Sequence, residues 1–291
     1  MDSLFGKHIA SHIVAFSVGS ERKEIMVHSG PLADLSPALS ALLNGAMREA
    51  KLKQVDWSHI SEDTFARLCQ FAYMGDYSPP LPKEGAYVSP MSIKLEPDPA
   101  PKPPFDQRGF PFGRPASNVG TWMGKTPQPV NNASATRMLP PAGHFIQEKH
   151  LKTTFSDCSF PPPQSSHDLS PKCNTSPSQD FGPVLCGHAE LYILADTYGV
   201  EPLRQLVLSK IYGTLQVFTV HETDVGTLVD FVKFCYANTL SHPKERDPLR
   251  NLATRYMVSI LRQVGEHERF LEMLVEGGDF VTDLWSVVWN H

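Results

Sequence analysis

The sequence predicts an α+β fold, split by a long insert and continued by an all-helical extension. Three observations carry that expectation. Short runs rich in β-forming residues lie near the start, at Ile13–Val18, Glu24–Val27 and Gln54–Trp57. The 26 prolines among 291 residues crowd into the middle of the chain rather than spreading along it. From His188 onward, apolar residues recur at helical spacing.

Each element has its own local signal. Ile13–Val18 and Glu24–Val27 flank a turn at Gly19-Ser20, so the pair reads as a hairpin. Ser36-Pro37 supplies an N-cap hydroxyl followed by proline at the first helical position, where its missing N–H costs nothing. Leu39, Leu42, Leu43 and Ala46 then fall on one face. Gln54–Trp57 reads as a third strand, and Ser61 as the cap of a second helix with Glu62 and Asp63 at the positive end of its dipole. Phe65, Leu68, Cys69 and Ala72 form its stripe, and Gly75 offers a left-handed stop.

Between residues 79 and 186 the chain is rich in Pro, Ser, Thr, Asn and Gln, with no sustained apolar period. Such a segment buries too little apolar surface to offset the roughly 1–2 kcal/mol per residue that ordering its backbone costs, so a disordered insert is expected. Beyond it, Leu191, Leu194, Ala195 and Tyr198 run to a stop at Gly199, and Pro202 opens the next helix. Thr227–Tyr236 is apolar on several sides, Asp247-Pro248 repeats the cap-plus-proline start, and two short helices flank Gly277-Gly278. Trp285 and Trp289 are expected to face the core.

Bulk properties exclude several classes. A net charge of −5 gives no basic field to attract nucleic acid. No signal peptide and no membrane span are apparent, which predicts a chain of the cytoplasm or nucleus. The five cysteines are odd in number and irregularly spaced, unlike a disulfide framework or a zinc site. None of the G-x-S-x-G, P-loop, G-x-G-x-x-G or H-E-x-x-H patterns occurs, so neither an enzyme nor a cofactor is expected. His8 and His12 share metal-ligand spacing but have no Cys or carboxylate close by in sequence.

Three motifs in order carry a resemblance to a known family. Val27-His28-Ser29-Gly30-Pro31-Leu32-Ala33-Asp34-Leu35-Ser36-Pro37 is similar to the BTB/POZ signature, a strand and His followed by Leu-Ala-x-x-Ser opening a helical hairpin. Val55-Asp56-Trp57, Thr64-Phe65 and Phe71-Ala72-Tyr73-Met74-Gly75-Asp76-Tyr77 resemble its third strand and the helix that follows. After the insert, His188–Val200 is similar to the family's later Ala-Asp-x-Tyr helix. The Phe-Ala-Tyr-x-Gly-Asp-Tyr variant and the long insert look most like BTB proteins of filamentous fungi. The resemblance implies a small mixed sheet capped by helical hairpins. Its first part would be residues 10–78 and its completing helices 187–215, separated by the 79–186 insert and followed by a helical extension over 216–291. The signature residues are His28, Leu32, Ser36, Phe65, Tyr73 and Gly75.

The family also implies a protein-binding role without catalysis. In BTB adaptors of cullin-RING ubiquitin ligases, a hydrophobic-x-Glu triplet packs against the cullin, and Met47-Arg48-Glu49 matches it, with Tyr73, Tyr77 and Tyr198 completing the contact. The alternative for Met47 is a place in the Leu39/Leu43 stripe. Expected partners are a cullin or another BTB protein, plus a client whose identity the sequence does not give. The other functional class is a scaffold or transcription-associated oligomer; against a homodimer stands the short lead before the first strand. Within the insert, Ile93-Lys94-Leu95-Glu96 fits the pattern of a SUMO acceptor at Lys94. Ser89, Thr126, Ser170 and Ser176 precede prolines as candidate phosphorylation sites; Asn132 and Asn174 fit glycosylation sequons, which are irrelevant in the cytosolic chain expected here.

Overall fold

A computed structural model describes residues 3–84, 148–160, 174–240 and 246–289. At the centre of its main sheet lies β1 (Ile13–Val18), because this strand alone has partners on both edges. It pairs antiparallel with β2 (Lys23–His28), Phe16 opposite Ile25, and parallel with β3 (Gln54–Trp57), Phe16 opposite Val55. The order is β2-β1-β3. A parallel neighbour requires a crossover rather than a tight turn. That crossover is helical: α2 (Ser29–Ala33), α3 (Pro37–Asn44) and α4 (Arg48–Leu52). All three expected strands are present, displaced by a residue at most.

The expected caps are also in place. Ser36 Oγ accepts from Leu39 N with Pro37 behind it, and Ser61 Oγ accepts from Thr64 N at the start of α5 (Glu62–Met74). Gly75 closes α5 in the left-handed region, at a φ of 72°. Helix α3 ends at Asn44, so Ala46 leaves the stripe and is exposed. Period-two alternation turns Val14, Phe16 and Val18 inward with Val55 and Trp57. Phe16 meets Phe65 of α5 at 4.8 Å and Trp57 at 5.0 Å between ring centroids. Full burial of each such side chain contributes about 1.5–3 kcal/mol.

The lead before β1 is itself a helix, α1 (Leu4–Ile9), whose N-cap Ser3 accepts from Gly6 N. Its His8 bonds Asp34 through Nε2 at 2.9 Å, while His12 lies beyond its end and contacts Ser29. The two histidines therefore hold different structural partners. Among the described residues no group of His, Cys, Asp and Glu is arranged to hold a metal ion.

The expectation of disorder throughout 79–186 is corrected at several places. Lys83–Glu84 (β4) pairs antiparallel with Gln179–Asp180 (β5), which brings the two ends of the insert side by side. Residues 148–156 form α6 (Glu148–Ser156), where Phe155 is buried against Tyr212 and Tyr256 and the Thr154 carbonyl accepts from Arg255. Asn174, read as a glycosylation sequon, is buried and exchanges two hydrogen bonds with the backbone of Thr219. Local composition hid these pieces because their apolar partners lie far away in sequence. The candidate sites at Lys94, Ser89, Thr126, Asn132 and Ser170 lie outside the described residues.

Beyond the insert come α7 (Gly182–Thr197), beginning five residues earlier than expected, and α8 (Glu201–Val217). The extension follows as α9 (Asp224–Asn238), α10 (Pro248–Ser259), α11 (Leu261–Val264), α12 (Glu268–Glu276) and α13 (Asp279–Trp289). Residues before and after the insert belong to one compact unit, and one continuous hydrophobic core runs from Val14 to Val288. Buried Arg250 ties the extension together: Nη1 donates to Asp279 at 2.9 Å and Nε to Thr239 Oγ1 at 2.7 Å. Its Nη2 also reaches the carbonyls of Tyr236 and Thr239 at the end of α9.

Trp285 and Trp289 face outward, contrary to expectation. Phe280, Leu284, Val287 and Val288 occupy the inner face of α13, which leaves the two tryptophans, four residues apart, stacked on each other at 5.7 Å on the outer one. Among the described residues, no helix is long and apolar enough to cross a membrane.

Two outcomes are expected on dissecting the insert. Deleting residues 88–144 should preserve a single cooperative thermal transition. Phe155→Ala should cost about 3 kcal/mol in urea unfolding, because it opens a cavity between α6, α8 and α10.

Candidate functional site

The signature residues divide into those that build the core and those that reach the surface. Leu32 and Phe65 are fully buried, Ser36 is a cap, and Gly75 is a left-handed stop. His28, at the end of β2, contacts the hydroxyl of Tyr73 through Nδ1 at 2.9 Å. Tyr73 is partly exposed, so this pair links the sheet edge to the last turn of α5 at the surface.

Met47 leaves the chain at the corner between α3 and α4. Extended backbone at this N-cap carries it away from the Leu39/Leu43 stripe, and 58% of its surface is exposed. Glu49 stands in the first turn of α4, at the positive end of its dipole, and is partly buried. Exposed Leu52 ends the same short helix. An exposed, flexible thioether beside a carboxylate on a helical corner suits a contact with another protein.

Two of the tyrosines assigned to that contact sit elsewhere. Tyr77 has no exposed surface: its hydroxyl lies 2.8 Å from His188 Nδ1 and its ring under Lys210 Nζ at 4.8 Å. It cannot touch a partner. Tyr198 packs its ring on Trp57 at 4.9 Å at the end of α7, half-buried at the wall of a different cleft. Helix α7 is itself a core helix, with Leu191, Tyr192, Leu194 and Ala195 all buried. The family pattern marks these tyrosines without telling which face each takes.

Sequence reasoning missed the charged centre of the molecule. Lys210, in the middle of α8, pairs with Asp76 at 2.8 Å, each only 2% exposed. Lys210 also donates to the carbonyl of Tyr77 at 3.0 Å, and Asp76 accepts from the Tyr77 backbone N–H at 2.7 Å. An ion pair at this depth is tolerable only because these further bonds satisfy both ends. A lysine within an amphipathic helix reads as solvated, so only its distant partner reveals the pair. Burial, with Lys210 and Arg67 nearby, drives His188 down to about 3, so its ring is neutral in the folded state. Its Nε2 finds no partner among the described residues. Burial likewise lifts the thiols of Cys69 to about 12 and Cys186 to about 11, which makes them poor nucleophiles.

A shallow cleft of about 380 Å³ opens where the start of α5 meets α7 and α9. Glu190 lies in it, accepting from Thr64 Oγ1 at 2.7 Å, with Ser61 Oγ at 3.0 Å. Ile193, Tyr198 and Phe234 supply apolar and aromatic wall.

Comparison of the chain with protein-family models, with curated proteins and with solved structures gave no match.

Replacing Lys210 by Met should cost about 3–5 kcal/mol in urea unfolding, because Asp76 then loses the buried ammonium it pairs with at 2.8 Å. Adding Asp76→Asn should restore part of that loss. The folded state keeps His188 neutral down to about pH 3, whereas the unfolded chain takes up the proton near pH 6.5. Stability should therefore fall as pH drops through that window, by up to about 1.4 kcal/mol per pH unit from this group. The slope should flatten by one proton in His188→Asn.

Proposed function

We propose that this chain is a BTB/POZ protein-interaction module that binds a cullin scaffold and recruits a client protein to it, acting by binding rather than catalysis. Support for the family comes from the mixed three-stranded sheet flanked by helices, with the His28, Leu32, Ser36, Phe65, Tyr73 and Gly75 motifs at its structural joints. The observation that carries the cullin reading is the outward Met47 with Glu49 in the first turn of α4. An apolar anchor of this kind gains affinity by leaving water in a partner's pocket, while the carboxylate orients it. His28 and Tyr73 add an exposed polar pair from another joint of the same unit.

The experiment is a binding titration of the full chain with the N-terminal domain of a cullin. Met47→Ala with Glu49→Ala should weaken binding at least about tenfold, with the melting temperature unchanged. Undiminished binding would remove these residues from the interface.

A second reading, self-association as a scaffold, draws on a specific observation. Leu4 and Phe5 of α1 are 65% and 62% exposed, and Ile13 and Met26 of the adjoining hairpin are also outward. Concentration-dependent growth in light scattering, abolished by Phe5→Glu, would favour this reading. A monomer at all concentrations would sink it.

A further inference from the structure

We infer that α6 is a tethered occupant of a helix-docking seat on α8 and α10, and that a partner protein binds there by presenting an amphipathic helix in its place. The first support is the set of side chains that α6 sends inward. Thr154 and Phe155 are buried, while Leu151 and Cys158 are half-buried against the same core. Positions 151, 154, 155 and 158 are spaced i, i+3, i+4 and i+7, the anchor spacing of a helix laid into an apolar groove. Phe155 is the central anchor, its ring 4.9 Å from that of Tyr212 on α8 and 5.2 Å from that of Tyr256 on α10. Arg255 adds a hydrogen bond to the Thr154 carbonyl at 3.0 Å.

The rest of the domain closes without this helix. β4 pairs with β5, and Asn174 bonds the backbone of Thr219, so the ends of the insert are secured independently of α6. In sequence α6 stands apart from the elements it packs on, with Pro140-Pro141 before it and Pro161-Pro162-Pro163 after it. At nine residues, with Thr153 and Thr154 side by side, it is too short and too poor in helix formers to hold its shape alone. Its helical state comes from the seat. That seat is also imperfectly filled. Tyr256 is buried, yet its hydroxyl has no hydrogen-bond partner among the described residues, and Phe155, which meets its ring, brings no polar atom. A competing helix that carries a polar group to this hydroxyl gains a bond that α6 leaves unmade. The tether offsets that deficit by keeping the local concentration of α6 high, so an outside ligand must displace it. The seat lies on other elements than the Met47 corner, and the inference stands whether or not a cullin binds there.

The test uses a fluorescein-labelled peptide of residues 148–160, standing in for the partner's helix, and the full chain as wild type and as Phe155→Ala. Removing the anchor from the tethered helix frees the seat. The peptide, which keeps its own phenylalanine, should therefore bind the variant at least about tenfold more tightly than it binds wild type. A peptide carrying Phe155→Ala should bind neither form. In the wild-type chain, hydrogen exchange should show the α6 amides opening well before those of α8 and α10. A helix that serves only as core gives the opposite signs. Binding no tighter to the variant, equal binding of the peptide without its phenylalanine, or α6 amides that exchange only on global unfolding would each overturn the inference. Met47→Ala should leave the peptide titration unchanged, which separates a failure here from a failure of the cullin reading.

Discussion

The fold depends on one buried ion pair formed between residues far apart in sequence. Asp76 closes the first part of the domain and Lys210 sits in the middle of α8, yet they meet at 2.8 Å with almost no solvent. Tyr77 fills the space around them: its backbone bonds both charges, its ring lies under the ammonium, and its hydroxyl meets His188. Neither charge is affordable in the interior alone, so each half of the domain carries a group that the other half must satisfy. The pair says more about which segments must come together than about how stable the product is.

Other contacts repeat that division of labour. Glu190 of α7 accepts from hydroxyls at the start of α5, and the Tyr198 ring packs at a tilt on Trp57 of β3. Pro80 lies so close to Gly187 that a side chain there would meet it at 2.9 Å, which explains a glycine inside α7. The extension follows the same logic through Tyr192, which bonds Asp247 at the cap of α10, and through Arg250, which gathers the end of α9 and the start of α13. The helical tail is therefore a continuation of the core and not an appendage. The surface of this one body combines a Met47 corner, the Glu190 cleft and an outward tryptophan pair.

What could be read from the sequence was local. Ser36-Pro37, Ser61, Gly75 and Asp247-Pro248 announce helix ends because their chemistry acts within three or four residues. Strand alternation around Phe16 is local in the same sense. Buried Lys210, Asn174 and Phe155 depend on partners 45 to 133 residues away and leave no such trace. Trp285 and Trp289 misled for a related reason: aromatic residues at four-residue spacing mark a helix face, but which face turns inward is decided by Phe280 and Leu284. For the candidate site, Met47 and Glu49 were visible as a motif. The Glu190 cleft was not, because three separate helices build it.

The sequence distance between Tyr77 and Lys210 also sets a clock on biosynthesis. A ribosome adds about 5–20 residues per second, so the 133 positions separating them delay the arrival of the ammonium by roughly 7–27 s. Throughout that interval the nascent first half carries Asp76 without its countercharge and apolar faces on β1 and α5 without their cover. A newborn chain in this condition is a natural client for chaperones, and the pace of translation becomes a determinant of its yield.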